Sequence, residues 1–131
     1  MIYLQTIPNF LMFFAAAAAF ALLFLFAYTR VTPWDEMKLI RAGNDAAAIS
    51  LAGAGLGFVI PLATVTSNSL NIADMAVWSV VALVVQLAAF FAVRVVKPNL
   101  AADIEAGKTA PAVSYAAFAL GTGILNAACM T

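Results

Sequence analysis

Histidine is missing from this 131-residue chain, and cysteine occurs once, as Cys129. A single cysteine forms neither an intrachain disulfide nor a multi-cysteine metal site. Without histidine, no serine here has the base that a hydrolytic triad requires, and no stretch has the Walker spacing that holds a nucleotide. We therefore predict no catalytic residues, no cofactor and no metal, and we expect the protein not to be an enzyme.

Charge is also scarce. Charged residues make up 9% of the chain and hydrophobic residues 66%, whereas a soluble domain has about 25% and about 45–50%. A water-soluble fold of this size would leave much apolar surface exposed, where it would aggregate. The net charge is zero, and no basic stripe is dense enough to indicate nucleic acid. The composition excludes a soluble domain and a nucleic-acid partner, and it indicates a chain that lies in the lipid bilayer.

Four apolar stretches are long enough to cross a bilayer, which requires about 20 helical residues. They run from about Pro8 to Tyr28, Ala46 to Thr66, Ile72 to Val96, and Ala110 to Cys129. Lipid offers no partner for an unpaired backbone amide, so we predict an all-α polytopic membrane protein of four transmembrane helices in one membrane domain, 1–131. The alternative for the N-terminus is a secretory signal peptide, which normally carries a basic region that "MIYLQTIPNF" lacks.

The basic residues indicate the orientation. They lie in or beside the first and third connections, 29–45 and 97–109, and are Arg30, Lys38, Arg41, Arg94, Lys97 and Lys108. The middle connection, "SNSLNIAD", has none. The positive-inside rule therefore predicts that 29–45 and 97–109 are cytoplasmic and that both termini lie outside.

The first connection also carries signals for a short surface helix. Thr32 is a candidate cap and Pro33 suits the first helical position. Trp34, Met37 and Ile40 share one face, which suits the headgroup boundary. We predict that Trp34, Arg30 and Arg94 form a cytoplasmic interface, with both arginines reaching headgroups; binding of a substrate by the arginines is the alternative.

The two halves of the sequence resemble each other. Shifted by 64 positions, "AGNDAAAISLAGAGLG" (42–57) aligns with "AGKTAPAVSYAAFALG" (106–121). We interpret this as two tandem two-helix repeats, 1–67 and 68–131. Each repeat has an even number of spans, so both copies insert the same way up and their pseudo-twofold axis runs along the membrane normal.

Residues that match between the halves indicate a scaffold, whereas residues that differ are better candidates for function. Small residues favour close helix packing at Gly53, Gly57 and Gly121. Pro61 is expected to kink the second span and allows a hinge or cavity there. The candidate intramembrane polar site comprises Gln86, Tyr115, Asn126, Ser50 and Ser114. For Gln86, a hydrogen bond between helices and contact with a ligand or ion both stay open; for the serines, a bond to their own helix or a bridge to a neighbour.

Four stretches resemble a known family: "VTPWDEMKLI", "NDAAAISLAGAGLGFVIPLA", "WSVVALVVQLAAF" and "GILNAACMT". They are similar to the YjfL-like proteins, uncharacterised bacterial inner-membrane proteins with tandem copies of domain of unknown function number 350. The resemblance implies a multi-pass protein of the bacterial inner membrane and brings no known activity. Related proteins are sometimes encoded near membrane-stress coat proteins, so the resemblance implies, by association only, a link to the bacterial envelope.

Two functions remain open from the sequence. The first is a structural or interaction subunit in envelope maintenance or stress, a homo-oligomer with a possible cytoplasmic protein partner. The alternative is a small homo-oligomeric channel or carrier for ions or small solutes, since four helices alone fill their own interior. No Asp, Glu, Lys or His is predicted in the middle of a span, which disfavours a proton-coupled pump.

Overall fold

The structure, a computed structural model, describes residues 2–130 and the side chains from Thr6 onward. Within that range every regular element is a helix: α1 (Ile2–Val31), α2 (Glu36–Arg41), α3 (Asp45–Asn68), α4 (Ile72–Val96), α5 (Leu100–Glu105) and α6 (Thr109–Cys129). Four helices are long and apolar enough to cross a membrane: α1 from Thr6 onward, α3, α4 and α6. The predicted all-α architecture of four spans is confirmed.

The element boundaries differ from the prediction in three places. α1 is longer than predicted at both ends and continues through Pro8. α2 begins at Glu36, because the carboxylate of Asp35 and not the hydroxyl of Thr32 caps it, accepting from the backbone N–H of Lys38. The third connection contains a short helix, α5, that was not predicted.

The two short helices end alike. Gly43 and Gly107 have φ angles of 86° and 77°, in the left-handed region that glycine adopts at little cost. At each position the glycine N–H and the next N–H bond back to carbonyls of the short helix, at distances of 2.9–3.0 Å. This Schellman pattern ends α2 and α5 and turns the chain into α3 and α6. These matching ends recur 64 residues apart; duplication and parallel insertion stay predictions.

The first and third connections lie together at one end of the bundle. The side-chain amide of Asn44 caps α3 through its oxygen and donates to the carbonyl of Ile104, in α5, over 2.8 Å. All six basic residues lie at this end, which we call the basic end. The α3–α4 connection lies at the opposite end.

α3 and α6 form the centre of the bundle, α4 packs across both, and α1 packs on α3 and α4. About 50% of the most apolar stretch of α3 is buried, compared with 28% for α6, 22% for α4 and 6% for α1. α3 is therefore the helix on which the others assemble, and α1 is the most peripheral.

Glycines allow the close approach of α3 and α6. A methyl group on Gly53 would overlap Ala116, and one on Gly123 would overlap the backbone of Gly57. Gly53 and Gly57 thus lie in the helix contact for which they were proposed. The same proposal for Gly121 is corrected: a methyl group there would meet open space. Its neighbour two positions on, Gly123, makes the contact, since α6 presents a different face from α3.

Candidate functional site

An aromatic cluster lies inside the bundle near the basic end. The ring of Phe90, on α4, is at its centre and meets Tyr28, Trp34 and Tyr115 edge to face, with centroids 5.5, 5.9 and 6.0 Å away. Phe24 extends the cluster by stacking on Phe58 at 4.7 Å. Such pairs each add about 0.5–1.5 kcal/mol beyond area burial. The cluster joins α1, α3, α4 and α6 at the end where the connections meet.

Two hydroxyl groups are buried within this cluster. The phenol oxygens of Tyr28 and Tyr115 lie 2.8 Å apart, and either one can donate to the other. Tyr115, a member of the candidate polar site, both forms this hydrogen bond and packs on Phe90; Tyr28, its partner on α1, was not among the predicted residues. The bond is a direct polar link between α1 and α6 in a surrounding of aromatic rings.

A carboxyl group caps the cluster at the basic end. Glu36, the first residue of α2, is only 1% exposed, and the hydroxyl of Thr32 donates to its Oε1. Burial raises the pKa of Glu36 above its ordinary value; the Thr32 hydrogen bond opposes this, and the neighbouring charge of Asp35 reinforces it. The first connection, which the sequence predicted to carry a surface helix, thus buries a carboxyl against the bundle.

Trp34 also lies inside the cluster. The sequence predicted an interfacial tryptophan, but the ring is 2% exposed and packs on Phe90. The connection folds inward over the aromatic rings, and Met37 takes the exposed position. The indole Nε1 is buried without a hydrogen-bond partner in the described chain.

Gln86 lies deeper in the bundle, about one turn of α4 beyond Phe90. It is 3% exposed, and its Nε2 donates to the carbonyl of Ala119, on α6, over 3.0 Å. A methyl group on Gly57 would collide with this nitrogen, so Gly57 makes room for the amide between α3 and α6. The Gln86 Oε1 has no partner among the described residues.

Pro61 changes the backbone hydrogen bonding of α3 at Gly57, the residue that contacts Gln86. α3 continues through it, but proline has no N–H for the carbonyl of Gly57, four residues back. That carbonyl faces the Cα of Gly123, a geometry that gives a weak Cα–H···O contact. The proline therefore leaves a backbone oxygen available to the neighbouring helix, and the expected kink stays a prediction.

A second polar level lies further from the basic end. Ser79, on α4, is fully buried. It lies seven residues from Gln86, and Asn126, on α6, lies seven from Ala119. Because α4 and α6 run in opposite directions, Ser79 and Asn126 both lie about 10 Å further from the basic end than Gln86 does. Ser79 Oγ and Asn126 Nδ2 are both buried without partners in the described chain.

The remaining predicted residues lie outside these polar groups. Ser50 is buried and donates to the carbonyl of Ala46 over 2.7 Å, whereas Ser114 lies on an exposed face of α6. The guanidinium of Arg30 lies 4.9 Å from the ring centre of Phe26, and that of Arg94 lies 6.0 Å from Phe90. Both arginines are held against aromatic rings at the basic end.

The unpartnered atoms of Gln86, Ser79 and Asn126 include donors and acceptors, which a water or a small polar solute needs. Sequence reasoning missed Tyr28, Glu36 and Ser79. One signal could have indicated that Glu36 is buried. Its counterpart in the second half, 64 residues on, is the apolar residue Leu100, which is also buried. Among the described residues, no group of His, Cys, Asp or Glu has the arrangement of a metal site.

Comparisons with known proteins agree with this architecture. A family model described as Domain of Unknown Function (DUF350) matches residues 1–130. The chain is 39% identical over 128 residues to UPF0719 inner membrane protein YjfL of Escherichia coli strain K12, and equally to that of Escherichia coli O157:H7. Each alignment covers 98% of this chain and 97% of the relative. No solved structure matches the chain.

Proposed function

Because the chain belongs to the DUF350 family and is a multi-pass protein of the bacterial inner membrane, we propose that it is a non-enzymatic structural subunit. It assembles with copies of itself in the membrane and supports maintenance of the envelope under stress. The exposure of α1 carries this proposal.

α1 makes few contacts within its own chain. It is held near the basic end by Phe24 and Tyr28, while Leu11 and Leu22 are 56% and 67% exposed. Leu11, Ala15, Ala18 and Leu22 follow one another at four- and three-residue spacing, and all four are exposed. This spacing lines one side of a helix with small and branched residues, the kind of surface on which transmembrane helices associate.

Disulfide trapping in native membranes tests self-association. In a Cys129→Ser background, Ala18→Cys should form a crosslinked dimer on mild oxidation, because α1 of one copy lies against α1 of another. Ile124→Cys is the control: it is exposed on α6 at a similar distance from the basic end, and it should stay monomeric. No dimer from Ala18→Cys, together with a monomeric mass in mild detergent, would contradict the proposal.

The exposed side of α2 is the surface offered to a cytoplasmic partner. Met37, Lys38 and Arg41 are all exposed there, so the complementary partner surface is acidic and partly apolar. A partner that co-purifies with the unaltered protein should be lost from Lys38→Glu and retained by Lys108→Glu, a charge reversal on the other connection. Equal recovery with both variants would exclude α2 as the docking surface.

A small channel or carrier is the second candidate, and the unpartnered polar atoms of Gln86, Ser79 and Asn126 favour it. Because Gly57 and Gly123 close the space between α3 and α6, a permeation path would require several copies of the chain. Purified protein in liposomes should then pass ions or small solutes, and Gln86→Leu should abolish the flux while preserving thermal stability. Absence of flux across a broad solute panel would remove this candidate.

A further inference from the structure

A groove opens on the membrane-facing side of α4 and α6, close to the basic end. Its volume is about 250 Å³. Its lining comprises Ala92, Val93 and Val96 from α4, Lys97 directly after α4, and Ser114, Tyr115 and Phe118 from α6. Apart from Lys97, Ser114 and the Tyr115 hydroxyl, which bonds Tyr28, these side chains are apolar, so the groove has an apolar floor and one cationic end.

The positions of the first half that correspond to this groove are filled, and side-chain size explains why. Ala92 corresponds, 64 residues back, to Tyr28, whose ring is 1% exposed in the aromatic cluster. Ser114 and Phe118 correspond to Ser50 and Ala54, which are also buried. The second half has a methyl group where the first half has a phenol ring, and its facing helix surface is open.

The cationic end has an unused charge. Lys97 is exposed and forms no ion pair within the described chain, whereas the neighbouring Asp103 is paired with Lys108 at 3.5 Å. Arg94 lies one turn before Lys97, at the last turn of α4. A lysine at the end of a membrane span reaches the headgroup layer, so this charge lies where phospholipid phosphates are found.

The groove also offers one hydrogen-bond donor. The hydroxyl of Ser114 bonds no group of the described chain, unlike that of its counterpart Ser50, which bonds the carbonyl of Ala46. Ser114 lies five residues into α6, about 8 Å from its first residue. That depth lies below the headgroup layer, at the level of the ester carbonyls of a lipid.

We propose that this groove is a binding site for an anionic phospholipid. One acyl chain lies against Val93, Val96 and Phe118, the phosphate contacts Lys97, and Ser114 donates to an ester carbonyl. Apolar burial provides contact with any phospholipid, and Lys97 provides the preference for negative charge. The site lies between α4 and α6, away from the α1 face, and does not depend on the self-association proposed above.

Native mass spectrometry of the full chain tests the site, with phosphatidylglycerol and phosphatidylethanolamine of identical acyl chains supplied in mild detergent. The unaltered protein should retain one phosphatidylglycerol per chain in preference to phosphatidylethanolamine. Lys97→Gln should reduce that preference by about fivefold, which corresponds to about 1 kcal/mol for one basic residue near the membrane surface. Lys38→Gln is the matched control, because it removes the same charge from an exposed lysine that lies outside the groove and forms no ion pair in the described chain, and it should leave the preference unchanged.

Ala92→Tyr provides a second readout, since it installs the side chain found at the corresponding position of the first half. It should abolish retention of both lipids, and its thermal unfolding temperature should confirm that the chain still folds. Equal retention of the two lipids by the unaltered protein would overturn the proposal, as would equal effects of Lys97→Gln and Lys38→Gln. Crosslinking of two chains through Phe118→Cys, without retained lipid, would assign the groove to a second copy instead.

Discussion

The first half of the chain buries its long C-terminal helix, α3, much more than the second half buries the equivalent α6. Both halves contain a long helix, a six-residue helix closed by a glycine, and a second long helix. The buried faces nevertheless differ: α3 packs through Ser50, Gly53, Gly57 and Pro61, while the counterparts of these residues on α6 face outward or lie at its edge. Similar sequences in the two halves therefore perform different tasks, one at the centre of the bundle and one at its surface.

The differences between the halves also locate the polar groups. Tyr28, Glu36 and Gln86 have the counterparts Ala92, Leu100 and Leu22, so none of these buried polar groups is repeated. The two halves thus share the same order of helices but contribute different buried polar residues, and the polar interior requires both halves. Substitutions at matched positions of the two halves test whether these positions differ in their contribution to stability.

The largest effect is expected for a matched pair of glycines. Gly57→Leu would force a side chain into Gln86 and the backbone of α6, at an expected cost of about 3 kcal/mol or more. Gly121→Leu, at the counterpart position, meets open space and should be tolerated. Thermal unfolding in mild detergent, followed by size-exclusion chromatography, measures both. Equal destabilisation by the two variants would mean that α3 and α6 pack symmetrically after all.

A smaller effect is expected for the tyrosine pair. Tyr28→Phe or Tyr115→Phe alone leaves one buried hydroxyl without its partner, which costs about 1–3 kcal/mol. The double variant removes both hydroxyls and should cost less than the sum of the single changes. A double-mutant cycle of unfolding free energies measures this coupling; strictly additive costs would show that the two hydroxyls do not interact.

Glu36 should make the stability of the protein depend on pH, because it places a titratable group where its counterpart, Leu100, has none. Burial raises the pKa of Glu36 in the folded protein. The contribution of Glu36 to the free energy of unfolding is therefore fully present at pH values below the pKa that Glu36 has in the unfolded chain. That contribution is lost as the pH rises through the folded pKa. The unfolding temperature of the unaltered protein should therefore fall over this range relative to that of Glu36→Gln, measured side by side. Parallel curves for the two proteins would exclude a role for the carboxyl.

The smallest effect is expected for the matched serines. Ser50→Ala removes a buried hydrogen bond to the carbonyl of Ala46 and should cost up to about 1 kcal/mol. Ser114→Ala changes an exposed position and should stay within about 0.5 kcal/mol of the unaltered protein. Unfolding temperatures measured under one detergent condition compare the two. A larger loss from Ser114→Ala would indicate that this serine, too, bonds within the fold.

The spans were predictable because 20 consecutive apolar residues leave few alternatives in lipid. Which side of each helix is buried was not, because lipid and protein interior are similarly apolar and hydrophobicity no longer distinguishes them. The error at Gly121 follows from this: α6 buries Ala119 and Gly123, each two residues and therefore about 160° around the helix from Gly121. The inward position of Trp34 escaped prediction for a related reason, since its spacing also suits a headgroup surface.

The hydrogen bond from Asn44 to Ile104 bears on how the protein is made. Asn44 ends the first connection, and the carbonyl that it reaches belongs to a helix synthesised sixty residues later. A ribosome that has delivered only the first hairpin therefore leaves this amide without its acceptor. The first hairpin completes this contact only when the second is present, so a product truncated after the first hairpin would expose the Asn44 side-chain NH₂ at the basic end.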